Sequence, residues 1–360
     1  MVGGEIVIEP LNGIVHWHRD DQFIWSRKNR LFLADMRGNL QITSTKIEVS
    51  PSTRLKWSTN ITRRLFRLDI KEIIELGDGL LGVSALGSFY HLELSTFELT
   101  KTCDFDGKGP LKLGFDGTRL IYGEYSMNRD RQPIPVYMSE DFGFTWKEIL
   151  VLNDVRHVHG VFHDDHQNRH WMTSGDLDEE SHLRYSDDLF STFETVQTGD
   201  QLFRAIDMIF LPDRILYGTD TPWAKNYICE LGRECHNVKK LQQVAGSIFF
   251  LRQTLAGFFC TTAVEPSDTN LDPFCEVWYS CDGSSWELLL TIDDDMLHAT
   301  YFQLGRIQIP SGPGCRNGTW LSPLAIKKDG TSFFIEVPKN SKCVSLNNSS
   351  TLSSEPTQVD

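Results

Sequence analysis

Cationic side chains are in short supply. The 360 residues include 35 Lys and Arg against 49 Asp and Glu, a formal net charge of −14. Such a balance argues against nucleic acid or an anionic membrane as partner, since both call for a basic surface. A small anionic ligand stays open, because a few arginines in a cleft outweigh the global sign. Long apolar runs are missing too: nothing approaches the roughly 20 residues that cross a bilayer. The start, "MVGGEIVIEPLNG", lacks the basic and apolar stretches of a secretory leader, so a cytoplasmic protein is expected. The eight cysteines contain no CxxC pair and read as reduced thiols rather than a disulfide framework. There is no P-loop, GxSxG elbow, HExxH or dinucleotide fingerprint. Sustained helical periodicity is absent as well.

What is present is repetition. An apolar strand ending in a small residue and an acid recurs at "RLFLAD" (Asp35), "RLIYGE" (Glu124), "RHWMTSGD" (Asp176), "RILYGTD" (Asp220) and "GFFCTTAVE" (Glu265). Weaker copies end in serine, at Ser84 and Ser322. The seven positions lie 49, 40, 52, 44, 45 and 57 residues apart, the period of a four-stranded blade, which predicts an all-β fold, a single β-propeller. Seven blades fit this spacing, with six as the alternative if the first and last copies share a blade. The strand "EIVIE" (Glu5 to Glu9) is expected to pair with "TSFFIEV" and close the ring, removing exposed edges. The propeller should span 1–338, followed over 339–360 by a polar tail whose composition reads as disordered.

The stretch "SEDFGFTW" carries Ser139, Asp141, Gly143, Thr145 and Trp146 at every second position but the last. It resembles the Asp-box, S-x-D-x-G-x-T-W, of BNR-repeat proteins, the group that includes sialidases and other carbohydrate-active propellers. Decayed copies follow at Ser186, Asp188, Thr192 and Phe193, and at Ser280, Asp282, Gly283, Ser285 and Trp286. Short oxygen-bearing side chains accept from turn amides, glycine supplies a positive φ, and the indole anchors the turn. Asp141 therefore reads as a turn staple, not an acid catalyst. The resemblance implies that these turns join third and fourth strands, on the rim opposite the working mouth. The F/Y-R-I-P string that sialidases carry near their start has as its nearest counterpart only "GRIQIP" at 305–310.

On that reading the repeated acids ring one mouth of the channel. Like charges so placed repel unless protons, arginines or a cation compensate; the bland alternative is that each acid caps a strand end. Glu124, His159, Asp176, Asp220 and Glu265 are the candidate catalytic groups. Tyr125, Arg129, Arg131, Gln201, Arg204, Trp223 and Asn226 are the candidate substrate-binding groups. His157 and His159, at i and i+2 on a strand, are candidate ligands for a divalent metal. His16 and His18 stand as far from Asp35 as that pair does from Asp176, so two H-x-H pairs entering one channel are expected; orienting a substrate by hydrogen bonds is the alternative role.

The function expected is an enzyme acting on a small-molecule or oligosaccharide ligand, polar and either a saccharide or carboxylate-bearing, by acid–base hydrolysis or lyase-type elimination. A cofactor-free cyclase or isomerase would use the same pocket. A non-catalytic propeller binding a glycan or a protein is the alternative from outside enzymology.

Overall fold

Alternating apolar and polar residues, broken by tight turns, make the chain almost wholly β. The computed structural model describes residues 10–35, 41–295, 297 and 301–337. Four sheets have four antiparallel strands each, over 70–104, 114–152, 157–198 and 205–244. A fifth holds Ile14–Arg19, Gln22–Arg27, Arg30–Asp35 and Gln41–Lys46, with Ser311–Gly314 added parallel to the first of them. Their packing is that of a β-propeller, with buried apolar side chains sandwiched between neighbouring sheets around Trp17, Trp171, Tyr122, Tyr217 and Phe259.

The expected seven blades, or six, are corrected: five sheets of blade size stand separately. The strands over 248–293 and, apart from Ser311–Gly314, those over 305–336 belong instead, with Leu11–Asn12, to one eight-stranded sheet, joined where Ala263 and Val264 pair with Arg306 and Gly305. Leu11–Asn12 pairs with Ser332 and Thr331 of the last described strand; the pairing expected of Glu5 to Glu9, like the tail from 339, lies outside the described residues. Two short helices also depart from the all-strand reading. Helix α1 (Pro51–Lys56) has Pro51 in its first turn and Ser50 as its cap, and helix α2 (Asn60–Phe66) is capped by Thr59. On the inner side of α2, Arg63 meets Asp69 and Asp329 at 2.5 Å each, and Arg64 pairs with Asp295.

Antiparallel strands fix which residues share a rim. Second strands end, and first strands begin, on one rim; turns between third and fourth strands lie on the other. Asp141 sits between the third strand Ile134–Ser139 and the fourth, Lys147–Leu152, whereas Asp176 and Asp220 follow the second strands Arg169–Gly175 and Arg214–Thr219. The stapled turns and these acids are thus on opposite rims. Inside the turn, Ser139 Oγ accepts from Gly143 N (2.7 Å) and donates to Asp141 Oδ1 (2.7 Å), while Asp141 accepts from Thr145 N and Oγ1 (2.9 and 2.6 Å). Ser186, Asp188 and Thr192 repeat this network, and Ser280 and Asp282 most of it.

Asp35 is a correction. It ends a third strand, Arg30–Asp35, and so lies on the stapled rim, where it accepts from Gln22 (2.8 Å). Further along the first strands lies an ionic group drawn from three sheets and from the segment that precedes Gly114. Lys112 Nζ lies 3.4 Å from Asp207 and 4.0 Å from Glu72, and Arg252 also pairs with Asp207.

Candidate functional site

The site is built at the starts of first strands, and a bulge shapes it. Along His157–Asp164, Val158 pairs with Ser174 and Gly160 with Thr173, leaving His159 as the extra residue. Such bulges re-aim side chains at sheet rims. Here the result is that His157 Nε2 and His159 Nε2 lie 3.1 Å apart.

Their hydrogen-bond partners settle their tautomers. His157 Nδ1 is 2.6 Å from the Ser126 carbonyl and His159 Nδ1 is 3.0 Å from the Ala205 carbonyl. A carbonyl oxygen only accepts, so each Nδ1 carries the hydrogen and each neutral ring turns an Nε2 lone pair inward. Two lone pairs then face one another, and Asp176 Oδ1 joins them at 3.4 and 3.8 Å. Three acceptors converging on one point call for a shared proton or a cation. Burial lowers the His159 pKa against the opposing pull of Asp176, which weighs against the proton. His157, His159 and Asp176 are, among the described residues, the group of His, Cys, Asp and Glu placed to hold a metal ion. Backbone carbonyls gripping the far ring nitrogens are the support that metal-ligating histidines require.

Asp176 is the hub. Its Oδ2 accepts from Arg156 Nη1 (2.6 Å), its Oδ1 forms an ion pair with Arg204 Nη2 at 3.0 Å, and its backbone carbonyl accepts from Arg204 Nη1 (3.3 Å). Although burial opposes it, the charge of Arg204 draws its carboxyl below the usual range; the imidazoles, with lone pairs turned towards it, do not. Arg204 also reaches Asp220 (3.4 Å), while its buried Nε–H has no acceptor. The Tyr125 ring packs against His157 with centroids 4.4 Å apart and planes tilted by 43°; burial and the charges of Asp220 and Asp176 push its phenol up. Glu265 accepts from Ser247 Oγ (2.7 Å). Burial first, and Asp220 next, raise its pKa to about 7.

The fold therefore brings together His157, His159, Asp176, Arg204, Asp220, Glu265 and Tyr125, and separates others expected beside them. Glu124 and Tyr125 point apart, as neighbours on an extended chain do. Glu124 turns its carboxylate towards Gly107, where a Cβ would overlap it, and does not join the cluster. Arg131 is bound to Glu180, which in turn accepts from the Asp176 and Leu177 amides (3.1 Å each). Gln201 is spent on the Asp176 carbonyl, Asp178 and Thr221, and Asn226 on Thr219, Thr221 and Asn270. These three position loops instead of contacting a ligand. Arg129 and Trp223 are exposed on the same rim. The second H-x-H pair does not join the first: His16 bonds Ser26 and Gln308, and His18 bonds the Asp20 carbonyl at the strand's far end. Ser247 escaped sequence reasoning because it meets Glu265 only when the hairpin of Ile248–Thr254 and Gly257–Val264 closes, 18 positions apart in the chain.

A second cavity, beside α1 and α2, is lined by Ser26, Arg27, Trp57, Asn60, Arg63 and Asp69 among others. Its buried charges, Arg63 and Asp69, already neutralise each other. Cys103, Cys229, Cys235, Cys260, Cys275 and Cys315 are free thiols, and no helix among the described residues is long and apolar enough to cross a membrane.

No protein-family model matches this sequence, and no curated protein does. Solved structures do. A chain of the mitotic checkpoint complex is 13% identical with a TM-score of 0.58, covering 94% of this chain and 92% of that one. Oligogalacturonate lyase in complex with manganese is 10% identical with a TM-score of 0.55, over 94% and 99%. The extracellular domain of a hybrid two-component system from B. thetaiotaomicron is 11% identical with a TM-score of 0.53, over 91% and 39%. At such identities the likeness shows the fold alone, and that fold is a β-propeller.

Proposed function

We propose that this chain is a lyase of carboxylate-bearing saccharides, working at the mouth that holds His157, His159 and Asp176 and related by its stapled turns to the Asp-box propellers. One observation carries the reading: two imidazoles locked in the Nδ1–H tautomer aim lone pairs at a carboxylate oxygen. Those three residues would hold a divalent cation, which when bound would polarise a substrate carboxylate as a Lewis acid. The manganese-bound oligogalacturonate lyase of similar fold supports the reading.

The remaining groups match what an elimination needs. The orphaned Nε–H of Arg204 offers a buried donor to a carboxylate oxygen. Glu265, balanced near neutrality with one oxygen held by Ser247, takes the proton α to that carboxylate. The electron pair of the broken C–H bond forms the C=C bond as the C–O bond to the leaving sugar breaks. Tyr125, whose hydroxyl bonds nothing among the described residues, gives its proton to the leaving oxygen, and solvent returns the proton from Glu265 to Tyr125. The charge of Asp220, which raises the pKa of Glu265, favours a second reading, acid–base hydrolysis by a carboxyl pair.

Uronide oligosaccharides distinguish the two. Elimination leaves a conjugated unsaturated acid that absorbs in the ultraviolet; hydrolysis gives reducing ends without that absorbance. The expected result is absorbance that disappears on chelation and returns with a divalent ion, together with loss of bound metal in His157→Ala. Reducing ends alone would establish hydrolysis. Metal-free protein of full activity would overturn the cation reading.

A further inference from the structure

Two loops of the mouth rim are stitched into one ledge. Thr269 Oγ1 donates to the Pro222 carbonyl (2.6 Å), Lys225 Nζ to the Thr269 carbonyl (3.0 Å), and the Trp223 amide to Thr221 Oγ1 (3.0 Å). Beneath them the buried amides of Asn226 and Asn270 meet at 3.2 Å, and Asn270 Nδ2 donates to the Thr221 carbonyl (3.1 Å). Loops so tied hold their tips in place. Yet those tips present apolar groups to water: Trp223 is 64% exposed and Leu271 77%. The indole lies three residues beyond Asp220, on the loop that continues from the site.

We infer that Trp223, flanked by Leu271, is the platform for a second sugar ring, adjoining the ring whose carboxylate meets Arg204; this rests on the saccharide reading above. A pyranose has an apolar C–H face and a polar edge. An indole covers that face without competing for hydroxyls, which the neighbouring charged groups can bond. Size favours this occupant over a protein. The apolar spot is two side chains wide and bordered by exposed Lys225, Asp268 and Asp272, whereas a stable protein interface buries about 800 Å² per partner. A rigid platform also lowers the ordering cost of binding.

The test compares uronides of one, two and three rings, by calorimetric binding and by turnover, in wild type, Trp223→Ala and Trp223→Phe. Trp223→Ala should weaken the two- and three-ring ligands roughly tenfold, leave the one-ring ligand unchanged and keep kcat; Trp223→Phe should recover most of the loss. Equal loss at every length, or none with two rings, overturns the platform. Binding without turnover in wild type would sink the lyase reading while the length dependence still judges the platform. Wild type that binds no uronide refutes both.

Discussion

Glu265 and Asp176 show how one mouth pushes two carboxyls in opposite directions. Asp176, paired with Arg156 and Arg204, has its carboxyl pKa drawn below the usual range. Glu265 faces Asp220 and Asp176 on one side and Arg204 on the other, with Ser247 on one oxygen, and titrates near 7. Its folded pKa lies above its ordinary value, so the native state holds the extra proton, and this contribution to stability falls as pH rises from about 4.5 to about 7. Glu265→Gln should therefore be more stable than wild type at pH 8 by about 1–3 kcal/mol, and equal to it at pH 4, in denaturant titrations. The same variant should lose about 100-fold or more in kcat/KM and lose the rise in kcat/KM through neutrality. A variant less stable at pH 8, or one that keeps the pH limb, sinks the assignment. The acids were legible from their repeat, but their orientations were not. Applying strand alternation to "GEY" would have sent Glu124 out and Tyr125 in; the bulge at His159 and the interblade partners of Arg131 and Asn226 leave no local signal.

At the scale of the element, the hydrogen bonds among Ser139, Asp141, Gly143 and Thr145 run within seven positions of chain, which is why a short string could suggest them. Gly143 has φ +90°, and a Cβ there would overlap the Phe89 ring of the neighbouring sheet. Gly143→Ala should cost about 1–3 kcal/mol through backbone strain and overpacking. Since the turn is on the far rim, KM and the pH profile should not move. A change in either, with the protein folded, contradicts the opposite-rim arrangement. The first sheet shows how pattern matching goes astray. Its hairpins are two-residue turns at Asp20–Asp21 and Lys28–Asn29, so the small-then-acid string that marks a second strand elsewhere fell on a third. The helices were signalled by Ser50–Pro51 and by Thr59, yet runs of six and seven residues are too short for periodicity to register.

For the molecule as a whole, the repeat spacing exposed the propeller, since the period of a blade is written into the chain. It did not expose the fused eight-stranded sheet, which depends on pairing between Ala263–Val264 and Gly305–Arg306, more than forty positions apart. A cation that binds only the folded ring should stabilise it. At 100-fold excess over Kd the gain is about 2.7 kcal/mol, so calorimetry should show a rise in Tm of several degrees on adding Mn²⁺ to chelator-stripped protein. The rise should vanish in a His157→Ala, His159→Ala double variant; a shift of equal size there would place the ion elsewhere.

Glu72, Lys112, Asp207 and Arg252 pair with one another further along the first strands, so a molecule leaving that way would have to part an ion network that is largely out of water. Backing out through the mouth costs less. The leaving species then contends with its successor for one vestibule and should act as a competitive inhibitor of it.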